Sequence, residues 1–293
     1  MRNRKCITYF LFFITVIFRL AICFGNEPEK PERIISTVPN FTEILFSLNL
    51  GDSVAGVSNF CHYPAEAKQK EKIGGYLNPN LEKIISLQPD LVIIPDVKSN
   101  TWDPLKKTGI SVLELRNETI DDVIIAVHKI AEACGVTERG RKLADKIQSD
   151  VKGIKKEYAN KPPVSVLVVV GREPGSVKNI YAAAPGTFLD ELVNLCGGKN
   201  ILTEQPALYP KISKESIIGL NPEVIIDTTL AGINPTTKTL NAAERAWDRL
   251  SSVNAVKNNR IHVLKKKSIT ILGPRVTETA SLFTKIIHPR KQR

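Results

Sequence analysis

Two segments of the chain show the same succession of apolar and polar positions. Residues 80–94 read NLEKIISLQPDLVII and residues 213–227 read SKESIIGLNPEVIID. In each segment the apolar residues first recur at helical spacing, a proline then ends the helix, and a short aliphatic run typical of a buried parallel strand follows. The pattern therefore predicts a helix, a turn and a strand, twice in one chain.

The surroundings of the two copies also match. The strand pattern RIISTV leads into FTEILFSLNLG before the first copy, and VSVLVVVG leads into TFLDELVNLCGG before the second. A further strand pattern follows each copy, ISVLEL near Ile110 and RIHVLK near Arg260, and then an amphipathic helix. Such alternation predicts an α/β fold with two Rossmann-like lobes on mostly parallel sheets, residues 33–136 and 162–288.

A single helix is predicted between the lobes. Residues 137–160 are rich in helix formers and end before KPP, which a helix does not readily enter. A helical connector resists bending more than crossing strands do, so we expect little closure of the lobes on a ligand.

The amino terminus reads as an export signal. A basic start, MRNRK, precedes the apolar run CITYFLFFITVIF and the exit RLAICFG, which predicts a signal peptide over residues 1–25 and work in the periplasm. Two alternatives stay open: a retained signal anchor, and a lipid anchor on Cys23.

Composition argues against several classes of protein. The net charge of +11 is scattered and its basic runs lack aromatic residues, so we expect no nucleic-acid partner. No GxSxG, HExxH, GxGxxG or GxxxxGK[ST] string is present, so an enzyme is not expected. The four histidines do not cluster in the sequence, so no metal site is expected; they are His62, His128, His262 and His288. The cysteines beyond the signal are too few for a disulfide framework, although one bridge stays open; they are Cys61, Cys134 and Cys196.

A resemblance joins these features. Two α/β lobes, a helical linker and a signal sequence resemble the helical-backbone solute-binding proteins of ABC importers for iron siderophores, haem and cobalamin. The strings RIISTVPNFTEILFSLNLGDSVAGVSNFCHYPAEA and KIGGYLNPNLEKIISLQPDLVI are most similar to the cobalamin-binding branch. The resemblance covers roughly residues 33–288 and implies the architecture of a class III periplasmic binding protein.

The resemblance implies a function as well. It implies a monomer without a covalent cofactor that captures cobalamin or another cobalt corrinoid between its lobes and delivers it to an ABC permease dimer with its ATPases. The alternative within the family is a ferric siderophore or haem as the ligand, and an exported enzyme is the less favoured class. Lys267 and Ser268 depart from the cobalamin pattern, which places an acid and an aromatic there.

Two glutamates occupy the same place in the two repeats. Glu82 and Glu215 each stand two residues after a candidate N-cap, Asn80 or Ser213. The resemblance implies that they form salt bridges with arginines of the two permease subunits. The alternative is that each acid only complements a helix dipole.

Candidate ligand residues fall on loops of both lobes. The resemblance implies that Phe60 and Tyr76 match positions where aromatic residues of the cobalamin-binding branch flank the corrin. It also implies that Tyr209 matches an aromatic of that branch just before the second repeat. Flat aromatic walls suit a large planar ligand, although an aromatic residue is as often part of the core. The full predicted set is Pro39, Asn40, Phe60, Tyr76, Tyr209 and Arg172, the arginine as a partner for a carboxylate.

Overall fold

The computed structural model describes residues 30–289, apart from positions 99, 174 and 204. The predicted signal peptide, residues 1–25, lies outside the described residues. Within them, no helix combines the length and the apolar character needed to cross a membrane. The first strand begins at Ile34, next to the predicted start of the first lobe at residue 33.

The first lobe is built on a parallel sheet with the strand order β3-β2-β1-β4-β5. Parallel neighbours require crossover connections, so helices alternate with the strands as the pattern predicts. The strands are β1 Ile34–Ser36, β2 Val54–Val57, β3 Glu71–Lys72, β4 Leu91–Pro95 and β5 Ser111–Leu115. The helices are α1 Pro39–Ser47, α2 Leu81–Ser86, α3 Asp103–Lys106 and α4 Ile120–Ala133, with 3₁₀ turns at Ala65–Gln69 and Asn100–Trp102.

The second lobe repeats this plan with a mixed sheet. Its order is β11-β10-β6-β7-β9, and β8 pairs with β6 outside this path. The β6–β7 and β7–β9 pairs are antiparallel and the others are parallel. The strands are β6 Val164–Gly171, β7 Ile180–Ala182, β8 Gly198–Asn200, β9 Lys211–Ile212, β10 Val224–Asp227 and β11 Ile261–Val263. The elements between and after them are α6 Phe188–Leu195, α7 Lys214–Leu220, α8 Thr237–Arg245, α9 Asn254–Lys257 and α10 Val276–Ile287, with 3₁₀ turns at Ala246–Leu250 and Lys267–Thr270.

The repeat found in the sequence is a repeat in space. Helix α2 leads to β4 as α7 leads to β10, and the isoleucines at matching positions, Ile84 and Ile217, are both fully buried. After each helix one residue adopts the left-handed conformation, Gln88 and Asn221, each at φ 47°. The same backbone turn therefore reverses the chain in both lobes, ahead of the proline that prevents the helix from continuing.

The connector between the lobes is the predicted single helix, α5 Thr137–Tyr158. It packs closely against α4, because a Cβ atom at Gly140 would lie 2.3 Å from that of Ala131. Ala144 and Ile147 bury its apolar side, and the remaining surface is largely charged. The predicted fold class, two α/β lobes joined by one long helix, is confirmed.

Two carboxylates tie the lobes together directly. Glu43 of α1 accepts bonds from Arg275 Nε at 2.8 Å and Nη2 at 2.5 Å, and the Arg275 guanidinium also lies 3.7 Å from the centre of the Tyr63 ring. Glu191 of α6 accepts from the Ile120 backbone N–H at 2.9 Å. Burial raises the pKa of both carboxyls. The two glutamates hold the same place, each five residues before the C-cap of the first helix of its lobe, so the inter-lobe contact is itself duplicated.

Candidate functional site

A cleft of about 580 Å³ lies between the lobes. Most of its walls follow the carboxyl ends of β1, β2, β5 and β11, where ligands bind in open parallel sheets. The first lobe contributes residues that include Pro39, Asn40, Phe60, Tyr76, Asn117 and Glu118. The second lobe contributes residues that include Thr187, Phe188, Leu208, Tyr209, Ile271 and Leu272.

The backbone at the start of α1 forms the floor of the cleft. Pro39 occupies the first turn of the helix, where a missing N–H costs nothing. Asn40 beside it is only 6% exposed, and a Cβ at Gly273 of the second lobe would meet its Cα at 3.4 Å. Both residues line the cleft, and Asn40 lies next to Gly273 of the other lobe.

The predicted aromatic residues stand on opposite walls. Phe60 and Tyr76 belong to the first lobe and Tyr209 to the second, and all three line the cleft. Phe60 is 52% exposed and Tyr209 is 43% exposed, so large apolar surfaces face an open space. Burial raises the pKa of the Tyr76 and Tyr209 phenols, which are therefore neutral at physiological pH.

Four apolar residues of the second wall were not predicted from the sequence: Phe188, Leu208, Ile271 and Leu272. Phe188 begins α6, whose N-cap Thr187 accepts a bond from the Asp190 backbone N–H. Counted back from the C-caps of α1 and α6, Phe188 is the counterpart of Asn40. The internal repeat therefore carried the signal for Phe188, since the matching residue in the first lobe had been identified.

The cleft is almost free of charge. Among the lining residues that the structure describes, the one ionisable acid or base with a formal charge is Glu118, which pairs with Arg116 at 3.0 Å on the exposed rim. Lys267 lies just outside the lining set and donates from Nζ to the Phe60 carbonyl at 3.1 Å, which joins the lobes at the edge of the cleft. Burial lowers the pKa of the Lys267 ammonium.

Arg172 is not placed to bind a ligand, so this part of the prediction is wrong. Its side chain is 1% exposed and its Nε donates to Asp227 at 2.7 Å, while the other nitrogens donate to the backbone carbonyls of Ser176 and Ala243. Trp247 Nε1 donates to the same Asp227 oxygen at 3.1 Å. The guanidinium is thus committed to the interior of the second lobe, where it neutralises the buried carboxylate at the end of β10.

Glu82 and Glu215 lie at matching points on the two lobes. Each is the second residue of its helix, α2 or α7, and each is exposed. The N-cap side chains are also equivalent, since Asn80 accepts from the N–H of the third helical residue and Ser213 does the same. Hydrogen bonds to its own backbone N–H and to Ser213 lower the pKa of Glu215.

The remaining polar candidates are scattered. No group of three or more His, Cys, Asp and Glu side chains suited to a metal ion occurs in the part of the chain that the structure describes. His128 lies exposed on α4, and burial lowers the pKa of His262 on β11. Cys61, Cys134 and Cys196 are each buried and free.

Comparisons with known proteins agree with this architecture. The family model described as "Periplasmic binding protein" (Peripla_BP_2) matches residues 34–268. A Bacillus subtilis protein named as the uncharacterized ABC transporter substrate-binding lipoprotein YvrC is 32% identical over 269 residues, 89% of this chain and 81% of its own. A vitamin B12-binding protein of Vibrio campbellii is 32% identical over 227 residues, 77% of this chain and 78% of its own.

A solved structure supports the same assignment. The periplasmic vitamin B12-binding protein BtuF of Vibrio cholerae superposes with a TM-score of 0.76 at 26% identity, covering 90% of this chain and 99% of its own. The family and these relatives are transport proteins that bind substrates, not enzymes. The chain therefore belongs to the periplasmic binding protein family, as the substrate-binding protein of an ABC transporter in the group that includes vitamin B12-binding proteins.

Proposed function

We propose that the protein captures cobalamin or a closely related cobalt corrinoid in the cleft and delivers it to an ABC permease dimer with its ATPases. One observation carries the choice of ligand. Aromatic and aliphatic side chains from both lobes line the cleft, and the single charged lining residue that the structure describes is an acid, Glu118.

This lining suits a planar ligand whose ring carries no carboxylates. Phe60 and Tyr76 on one lobe and Phe188 and Tyr209 on the other offer apolar faces to both sides of a macrocycle. Corrinoids carry neutral amides around the ring, and these can pair with Asn117 and with neutral phenols. A haem carries two carboxylates instead, and burying them against this lining leaves them without a partner, which is costly.

A ferric siderophore or a haem is the second candidate ligand. Lys267 favours it, because its ammonium lies beside Phe60 at the edge of the cleft and can turn from the Phe60 carbonyl to a ligand carboxylate. It is one peripheral cation, held by a backbone bond. The described residues that line the cleft include no cation, so we place the corrinoid first.

Calorimetric titration of residues 26–293 with cyanocobalamin, haem and a panel of ferric siderophores tests this proposal. We expect one-to-one, submicromolar binding of cyanocobalamin that Tyr76→Ala weakens. Lys267→Met should leave that affinity unchanged. Tight binding of haem or a siderophore, lost in Lys267→Met, would move the ligand within the family, and no binding by any of them would contradict capture of a metal chelate.

We also propose a division of labour along the chain. Residues 33–136 and 162–288 act as the two lobes, and residues 137–160 hold them at a nearly fixed separation. Glu82 and Glu215 then engage arginines on the two permease subunits, one from each lobe. The equivalent placement of the two glutamates on exposed helix ends supports this docking role. Two contacts are needed because one exposed salt bridge contributes little in water.

The family and the amino-terminal sequence support a proposal for the localisation of the protein. We propose that residues 1–25 direct export to the periplasm and that the protein acts there as a monomer without a covalent cofactor. Retention of the signal as an anchor, or a lipid at Cys23, would keep the same lobes close to the membrane that holds the permease.

A further inference from the structure

Two exposed isoleucines occupy equivalent positions in the two lobes. Ile85 on α2 and Ile218 on α7 follow the buried Ile84 and Ile217 of the repeat, and both are 44% exposed. A single exposed isoleucine is unremarkable in a soluble protein. The same degree of exposure at the same position of both lobes requires a reason that applies to both.

Each isoleucine lies one turn after the exposed glutamate of its helix. The spacings Glu82 to Ile85 and Glu215 to Ile218 are both three residues, which places acid and isoleucine side by side on one face. The residue four positions after Glu215 is Gly219, where an added Cβ would meet no atom within 4 Å. On α2 that position is the small residue Ser86. Each lobe thus presents an acid and an apolar side chain next to a small residue.

Folding does not account for these two side chains. The core beneath each helix is filled by Ile84 or Ile217, both 0% exposed. The turn that follows is set by the left-handed Gln88 or Asn221 and the proline after it. A polar residue at position 85 or 218 would satisfy the same helix and the same turn.

We propose that Ile85 and Ile218 form, with Glu82 and Glu215, two matched docking contacts for the permease. The partner surface would offer, twice and related by two-fold symmetry, a basic side chain beside an apolar recess. An isoleucine inserted next to the ion pair excludes water from it and adds apolar burial, which an exposed salt bridge lacks. This inference rests on the proposed function and adds to it the apolar half of each contact.

The test measures uptake of radiolabelled cyanocobalamin by cells of the source organism that carry the full chain in place of their own copy. The variants are Ile85→Gln, Ile218→Gln and both together. Glutamine leaves the net charge of the protein unchanged and forms helices well. The matched control is Ile125→Gln, which changes an isoleucine of α4 that is 48% exposed and belongs to neither repeat. Calorimetry and thermal unfolding of the same proteins report ligand affinity and folding.

We expect each single variant to reduce uptake by about threefold and the double variant by about tenfold or more, with ligand affinity and melting temperature unchanged. Ile125→Gln should transport normally, and leucine at positions 85 and 218 should preserve transport. Normal uptake by the double variant would overturn the inference while leaving the proposed function intact. Cells with the unaltered chain that take up no more than cells lacking it would refute delivery of cobalamin, and the inference with it.

Discussion

Removing one partner of the buried pair Glu43–Arg275 is expected to cost more stability than removing one partner of a surface ion pair. The two side chains are 2% and 15% exposed, and they join elements 232 residues apart in sequence. Arg275→Met removes both hydrogen bonds to the carboxylate and the stacking on Tyr63, and it leaves the Glu43 charge buried without a partner. Breaking a buried pair in this way costs about 3–5 kcal/mol, and partial access of water to Arg275 favours the lower end.

We therefore expect Arg275→Met to lower the free energy of unfolding by about 3 kcal/mol, or the melting temperature by roughly 6–12 °C. Urea unfolding followed by circular dichroism measures this quantity. The double variant Glu43→Leu/Arg275→Met removes both charges and should unfold within about 1 kcal/mol of the unaltered protein. The control is Arg141→Met, which breaks a pair with Glu138 whose side chains are 56% and 74% exposed, and should change stability by less than about 0.5 kcal/mol.

The deficit should also depend on pH in a stated direction. Burial raises the pKa of Glu43 above its ordinary value of 4.5, and removing Arg275 takes away the strongest opposing influence. A carboxyl whose pKa is higher in the folded state destabilises the fold above its unfolded pKa and ceases to do so as it becomes protonated. The deficit of Arg275→Met should therefore shrink as pH falls from about 7 towards 4.5. A loss below about 1 kcal/mol at neutral pH, or a double variant no more stable than the single one, would show that Glu43 does not depend on Arg275 for its charge to be buried.

Three further outcomes follow from the geometry. Tyr209→Ala should weaken cyanocobalamin binding by about tenfold in calorimetry, whereas Tyr181→Ala, which truncates a tyrosine that is 45% exposed and outside the cleft, should not; equal losses would contradict the assigned wall. Arg172→Met should lower the free energy of unfolding by about 3 kcal/mol yet leave the affinity of the folded protein unchanged, and a selective loss of affinity would restore Arg172 as a ligand residue. Burial raises the pKa of Cys134 to about 11 and of Cys196 to about 12, so in residues 26–293 a thiol reagent at about pH 8 should label these cysteines only after unfolding, and rapid labelling of the native protein would show that they are accessible.

The sequence was sufficient to predict the fold because an internal repeat shows the same order of elements in both lobes. The repeat at residues 80–94 and 213–227 defines helix, turn and strand in each lobe, and the proline fixes where each helix ends. The long helix before KPP is equally plain in composition. The antiparallel pairing of β7 and β9 in the second sheet was not predictable, because strands of two or three residues carry too little periodicity.

Five of the six predicted ligand residues line the cleft, and they were chosen either as loop aromatics or as the loop after the first strand. Pro39, Asn40, Phe60, Tyr76 and Tyr209 all line the cleft. The assignment of Arg172 failed because a loop arginine looks alike whether it faces a ligand or a buried acid.

Arg172 is held in the interior by its hydrogen bond to Asp227, which lies 55 residues away in the sequence. The Glu43–Arg275 pair could not be predicted for the same reason, because sequence spacing does not reveal which charged residues of the two lobes form a pair. Phe188 could have been found by aligning the first helices of the two lobes, a step for which the repeat already gave the grounds.

Hydrogen exchange measured with and without cyanocobalamin shows whether one ligand is held by both lobes at once. We expect slower exchange in the first lobe over residues 37–40 and 58–60 and, at the same ligand concentration, in the second lobe over residues 186–188 and 208–209. The face of α2 and α7 that carries Glu82 and Glu215 should show no change. Protection confined to one lobe, or absent from both while binding is seen by calorimetry, would contradict capture in the cleft.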